Sequence, residues 1–188
     1  MKDREIIEPI ISQYFNSFLR KEFNGENNDH DILMDLFGIS PDLKREHSQY
    51  WGRELGMLWQ LIVDGLAKTH CKDYEPALII GNDQLCDLRI GNDAIDTKYR
   101  VGSGDSGKHK ELKRYGKILR EKRYRPVLLF VREDNLPAAI TAANTGGWTI
   151  YTGKETFKYI KAKIGVDIEE LIHSFRDKYH IANNDLPI

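Results

Sequence analysis

Three charged side chains, Asp87, Asp96 and Lys98, lie in a segment with the alternating pattern of two β-strands. The pair Gly91-Asn92 separates the two strands and suits a two-residue hairpin turn. Period-two alternation places all three charged side chains on one face of the predicted hairpin. Two carboxylates held side by side repel each other. A divalent cation would relieve that repulsion, since Mg²⁺ typically binds one or two carboxylates together with waters and phosphate oxygens.

The turn also determines which residues face each other across the hairpin. Residues opposed in an antiparallel pair have Cβ atoms roughly 4.5–5.5 Å apart. The predicted pairs are Ile90 with Asp93, Leu88 with Ile95, and Asp87 with Asp96. The other face of the hairpin suits a core and is predicted to contain Cys86, Leu88, Ile90, Ile95, Thr97 and Tyr99. Asp83 and Asp93 lie off the acidic pair, so their replacement is expected to leave its chemistry intact.

Asp87, followed after an eight-residue gap by Asp96-Thr97-Lys98, resembles the sequence motif of the PD-(D/E)XK nuclease superfamily. Many type II restriction endonucleases have this fold. Cys86 stands where the name of the superfamily has proline, a residue that members often lack. The resemblance implies that Asp87 and Asp96 bind Mg²⁺, with Mn²⁺ as a substitute. It also implies that Lys98 holds the attacking water and the scissile phosphate.

Many enzymes of this superfamily also place a glutamate from a helix near the metal. Glu54 is the residue that fits this role, because it lies beside the apolar stripe of a predicted helix, one turn before Leu58. The resemblance therefore implies a catalytic role for Glu54, in orienting a water or a second metal. The alternative is a glutamate at the edge of the core, paired with Arg53 or Lys68.

Positive charge is concentrated directly after the hairpin. Residues 98–125 carry 11 Lys or Arg against 3 Asp or Glu, although the formal net charge of the chain is only −1. Such a segment favours contacts with a polyanion. A glycine-rich loop at 101–107 either cradles a phosphate through backbone amides or is a plain connector. The candidate DNA-binding residues are Arg100, Ser103, Lys108, Lys110, Lys113, Arg114 and Lys117, and the alternative is a solvated basic helix face.

The pattern of the whole chain predicts an α/β (α+β) fold with a central mixed β-sheet flanked by helices. The order α-β-β-β-α-β resembles the restriction-endonuclease-like core and covers about residues 45–152 of one domain, 1–188, with helical additions at both ends. Strands are expected at 76–81, 85–90, 93–99, 126–131 and 148–152. Helices are expected at 32–37, from 41 to about 68 as one helix or two, and at 108–124, 134–143, 154–163 and 167–179.

Composition narrows the class of protein. The chain of 188 residues has 40% hydrophobic and 30% charged residues, which is typical of a soluble globular protein, and it has no apolar run long enough for a membrane helix. An amphipathic helix is predicted from Asp3 to Phe23, either for dimerisation or for the core, so no signal peptide is expected. Cys71 and Cys86 stand alone, which predicts reduced thiols and a cytoplasmic location.

The function implied by the resemblance is Mg²⁺-dependent hydrolysis of double-stranded DNA at a specific short sequence, as in a type II restriction endonuclease. A palindromic target favours a homodimer. A cognate DNA methyltransferase is implied as a functional counterpart but not as a stable partner. The alternatives are a Holliday-junction resolvase or repair nuclease, and a non-catalytic DNA-binding protein on the same fold. In a further alternative, the two aspartates are ordinary exposed hairpin residues. The recognition sequence does not follow from these patterns.

Overall fold

The computed structural model describes residues 29–102, 106–176, 178–179 and 181. Ser103 and the predicted helix from Asp3 to Phe23 lie outside the described residues. The helices are α1 (Ile32–Phe37), α2 (Pro41–Glu46), α3 (Ser48–His70), α4 (Ser106–Glu121), α5 (Pro137–Gly146), α6 (Lys154–Ile164) and α7 (Ile168–His173). The strands are β1 (Tyr74–Ile80), β2 (Asp83–Ile90), β3 (Asp93–Lys98), β4 (Arg125–Phe130) and β5 (Thr149–Thr152).

The five strands form one mixed sheet in the order β1-β2-β3-β4-β5. Strands β1, β2 and β3 are antiparallel neighbours, whereas β3, β4 and β5 run parallel. The hairpin register predicted from the Gly-Asn turn is confirmed for its first pairs, since Ile90 faces Asp93 and Leu88 faces Ile95. The predicted mixed sheet with flanking helices is confirmed as well.

Each face of the sheet is covered by its own apolar cluster. On one face, helices α1, α3, α6 and α7 pack against residues that include Leu88, Ile90 and Ile95. On the other face, α4 and α5 pack against residues that include Ala94 and Leu128. Strand β4 contributes side chains alternately to both clusters, which explains its nearly continuous apolar sequence. Asp96 alternates with Ile95, so its side chain is on the α4 face.

Local sequence accounts for most helix ends. The Asp31 side chain caps α1, which ends at Gly38 in the left-handed region (φ 66°). Ser40 caps α2, with Pro41 at the first position, and the helix begins at residue 41 as predicted. The predicted helix from 41 to about 68 is two helices, because His47 has non-helical dihedral angles (φ −130°, ψ 45°).

Three predicted helices have wrong boundaries, and the first of them, α4, ends at Glu121 rather than at residue 124. Helix α5 begins at Pro137 rather than Asp134, because Asp134 is held outside the helix by ion pairs with Arg100 and Arg132. Helix α7 is capped by Asp167 and ends at His173 rather than at residue 179, and a turn follows. Within the described ranges, no helix has the length and apolar character needed to cross a bilayer.

A close contact between helices sets the position of α4. A Cβ at Gly116 would lie 2.5 Å from the Gly146 carbonyl oxygen, so this contact requires glycine. The indole N–H of Trp148 donates to the Leu112 carbonyl oxygen at 2.7 Å. These contacts fix α4 against α5 and β5, and therefore against the sheet face on which Asp96 lies.

Candidate active site

A cavity of about 350 Å³ lies between the β2–β3 hairpin and the first turns of α4. Five of the residues predicted from the sequence for catalysis or DNA binding meet there: Asp87, Asp96, Lys98, Arg100 and Lys108. The remaining lining residues are Gln84, Val101, Gly102, Glu111, Leu112 and Tyr115. The predicted grouping of two carboxylates with a lysine therefore exists as one pocket.

Asp87 is 9% exposed and accepts three hydrogen bonds. Its Oδ2 accepts from the backbone N–H and from the hydroxyl of Thr97, both at 2.7 Å. Its Oδ1 accepts from the Gln84 side-chain amide at 3.0 Å. The paired register of β2 and β3 ends at Leu88 and Ile95, so the predicted facing pair of Asp87 with Asp96 is not part of the ladder. Beyond that point the Asp87 carboxylate replaces a β2 carbonyl as the acceptor for β3.

A β-bulge places Gln84 beside Asp87. Leu78 faces Cys86 while the next residue, Ile79, faces Gln84, so Leu85 is an extra residue in β2. Strict alternation would put Gln84 and Asp87 on opposite faces, because they are three residues apart. The expectation that Cys86 packs with Leu88 is wrong for the same reason. Cys86 is buried in the α4-side cluster together with Leu85.

Asp96 and Lys98 form an ion pair inside the cavity. The Lys98 Nζ lies 2.7 Å from both carboxylate oxygens of Asp96. Burial raises the pKa of Asp96 to about 6; the Lys98 ammonium opposes this shift and the charge of Asp87 adds to it. Burial alone would lower the pKa of Lys98, but the charges of Asp96 and Asp87 outweigh it and raise that pKa. Lys98 therefore stays protonated and serves as a cation, not as a free base.

Glu54 does not line this cavity. Its side chain is 45% exposed and lies 2.9 Å from the Arg53 guanidinium. It belongs to α3, which packs on the opposite face of the sheet from Asp96. These contacts agree with the alternative of a surface glutamate paired with Arg53.

Glu111 is a carboxylate of the cavity that the sequence analysis missed as a site residue. Lys108, Glu111, Leu112 and Tyr115 follow the three-to-four spacing of one helix face, so the pattern could have grouped them. Tyr115 is fixed at the cavity wall because its hydroxyl donates to the Asp83 carboxylate at 3.0 Å. Arg114 contacts the same carboxylate at 2.9 Å, which lowers the pKa of Asp83.

Two further cationic side chains line the cavity, one held by an ion pair and one exposed. The Arg100 Nε donates to the backbone oxygen of Asp134 at 2.9 Å and lies 3.2 Å from its carboxylate. Arg132 holds that carboxylate in turn at 2.8 Å. Lys108 is exposed and forms no ion pair with any residue in the described part of the chain. Arg100 is thus held in place by Asp134, while Lys108 is an exposed cation in the cavity wall.

The other lysines of α4 point away from the cavity. Lys117 follows Lys108 by nine residues, about two and a half helical turns, which places it on the opposite side of α4. Lys110 and Lys113 are exposed on that outer side and do not line the cavity. Of the predicted DNA-binding residues that the structure describes, Arg100 and Lys108 line the cavity, and Lys110, Lys113 and Lys117 form an outer group. The remaining one, Arg114, does not line the cavity and is ion-paired with Asp83.

The donor atoms in the cavity fit a hard divalent cation. They are carboxylate oxygens, the ligand type that suits Mg²⁺ and Mn²⁺. Among the described residues, no group of three or more His, Cys, Asp or Glu could hold a metal ion. Two carboxylates are nevertheless enough for Mg²⁺, which commonly keeps several waters and binds substrate phosphate oxygens. Asp87 and Asp96 are the residues that would hold it.

Comparisons with known proteins add no relative to this description. No protein-family model matches the sequence, and no curated protein or solved structure matches it significantly.

Proposed function

We propose that this protein is a Mg²⁺-dependent deoxyribonuclease with a restriction-endonuclease-like core, and that it cleaves double-stranded DNA at a specific short sequence. The observation that carries the proposal is the convergence of Asp87, Asp96 and Lys98 in one cavity against a basic helix. The order α3, β1, β2, β3, α4, β4 supports it, because the PD-(D/E)XK core has the same α-β-β-β-α-β order.

Each residue of the cavity has a distinct part in the proposed reaction. Asp87 and Asp96 hold Mg²⁺, or Mn²⁺ in its place. When bound, the cation lowers the pKa of a water and stabilises negative charge on the phosphate. Lys98 donates to the phosphate and orients the attacking water, since its pKa is raised and it remains an ammonium. Arg100 and Lys108 bind neighbouring phosphates and hold the DNA strand in the cavity.

Digestion of phage DNA with Mg²⁺, followed by sequencing of the fragment ends, tests this proposal. Discrete fragments whose ends share one short sequence are expected. No cleavage is expected when a chelator removes the Mg²⁺. A parallel reaction with a four-way DNA junction separates the alternatives. Cleavage of the junction alone would favour a structure-specific nuclease, and binding without cleavage of either substrate would favour a DNA-binding protein.

The outer lysines of α4 are expected to supply affinity without sequence preference. Replacing Lys113 and Lys117 by Glu should weaken binding to every duplex about equally. It should also make the slope of the log binding constant against the log salt concentration shallower by about 2. Binding titrations at several salt concentrations measure this. The double replacement of Lys68 and Lys72 by Glu makes the same charge change at the end of α3 and should have little effect. A loss confined to cognate DNA would assign base contacts to the outer lysines.

We expect the protein to be a homodimer, because one active site cuts one strand and a palindromic duplex has two-fold symmetry. The predicted apolar helix from Asp3 to Phe23 is the candidate contact. Light scattering with and without DNA measures the mass of the particle. A monomer in both conditions would contradict the expectation and would point to sequential nicking of the two strands.

A further inference from the structure

The hydrogen bonds to Asp87 determine which of its atoms remains available. An ionised carboxylate offers about four acceptor positions, two on each oxygen. Thr97 fills both positions on Oδ2 with its backbone N–H and its hydroxyl, each at 2.7 Å. Gln84 fills one position on Oδ1 at 3.0 Å. Among the hydrogen bonds between described residues, one acceptor position is therefore left for a further ligand, and it belongs to Oδ1.

We propose that Thr97 is a positioning residue that orients Asp87, so that Oδ1 is the atom through which Asp87 binds the divalent cation. This inference rests on the proposed function, because it concerns the same metal site. Residues that hydrogen-bond a metal ligand hold it in the binding orientation, and their loss typically weakens metal affinity by about 10- to 100-fold.

Threonine is suited to this position for two reasons. It is 4% exposed, so water cannot easily replace its hydroxyl as a donor to Oδ2. Its backbone N–H and its side chain converge on the same carboxylate oxygen, which fixes the direction of the carboxylate more firmly than one hydrogen bond would. Without the hydroxyl, the carboxylate can rotate about its bond to Cβ, and Oδ1 loses its fixed direction.

Titration calorimetry of the full-length protein with Mn²⁺ in the absence of DNA tests the inference. Thr97→Val keeps the shape and removes the hydroxyl, and it should weaken Mn²⁺ binding by about tenfold or more. Thr97→Ser restores the donor and should stay within about twofold of the original affinity. Thr156→Val is the matched control, because Thr156 is also buried and its hydroxyl donates at 2.7 Å to the Phe130 carbonyl oxygen, away from the cavity. It should lower stability without changing the Mn²⁺ affinity.

Gln84→Met provides a second variant whose fold is not at risk, because Gln84 is exposed. Losing its hydrogen bond to Oδ1 should weaken Mn²⁺ binding by about threefold. Unchanged affinity in Thr97→Val, or an equal loss in Thr97→Val and Thr156→Val, would overturn the inference. If the protein binds Mn²⁺ through Asp87 but cuts no DNA, only the proposed function fails. If the original protein binds no Mn²⁺, both fail.

Discussion

Asn at Asp87 or Asp96, and Ala at Lys98, are each expected to reduce DNA cleavage by at least about 10³-fold, because each change removes charge from the reacting phosphate or its cation. Single-turnover cleavage of a defined duplex measures this loss. Asp42→Asn is the matched control, because Asp42 is 84% exposed and pairs with Arg45 on α2. It should cut at the original rate.

The three variants should differ in their affinity for Mn²⁺. Both aspartate variants should lose Mn²⁺ affinity, whereas Lys98→Ala should keep it, since an ammonium group has no lone pair to offer a metal. An Asp96→Asn protein that still cuts DNA would mean that the metal is held elsewhere.

The free energy of unfolding, measured in metal-free buffer, shows whether the two aspartate variants are still stably folded. Burial raises the pKa of Asp96 to about 6, so its charge is unfavourable near neutral pH and Asp96→Asn should not lower stability there. Asp87→Asn should lower stability, because an amide has only one acceptor oxygen for the three donors from Thr97 and Gln84.

Asp93→Asn is expected to lower the free energy of unfolding by about 2 kcal/mol, because it removes the charge of a buried carboxylate that binds two partly exposed cations. The Asp93 carboxylate is 6% exposed, and both of its oxygens bind Arg125 at 2.7 Å. It also accepts from the Tyr159 hydroxyl at 2.8 Å and lies 3.0 Å from the Lys163 Nζ. A loss of activity in a destabilised Asp93 variant would not show that Asp93 takes part in catalysis. Asp93 is therefore unsuitable as the control residue that the hairpin pattern suggests.

The effect of Asp93→Asn should depend on pH with a definite sign. Burial opposes ionisation of Asp93, but its hydrogen bonds with Arg125, Lys163 and Tyr159 outweigh burial and hold its pKa below the ordinary value of 3.8. The stabilisation is therefore present above about pH 4 and is lost as pH falls through the lowered pKa. Urea unfolding at about pH 7 and about pH 2 should show a large difference from the original protein only at the higher pH. A constant difference would contradict this assignment.

The local features of this fold could be predicted from neighbouring residues. The Gly91-Asn92 turn and period-two alternation gave the pairs Leu88–Ile95 and Ile90–Asp93. The predicted helix beginning at residue 41 follows the capping side chain of Ser40, and the predicted helix ending at residue 163 stops close to Gly165, which is in the left-handed region (φ 84°). These predictions succeeded because turn chemistry and side-chain periodicity act over a few neighbouring residues.

Which distant residues meet depends on how the helices and strands pack. The bulge that turns Gln84 toward Asp87 arises from the pairing of β2 with β1. Glu111 enters the cavity because α4 docks on the face of the sheet where Asp96 lies, while Glu54 belongs to a helix on the other face. Asp93 is held by Tyr159, 66 positions along the chain. Contacts over such distances depend on how whole elements pack, and local periodicity carries no information about the partner that each surface will find.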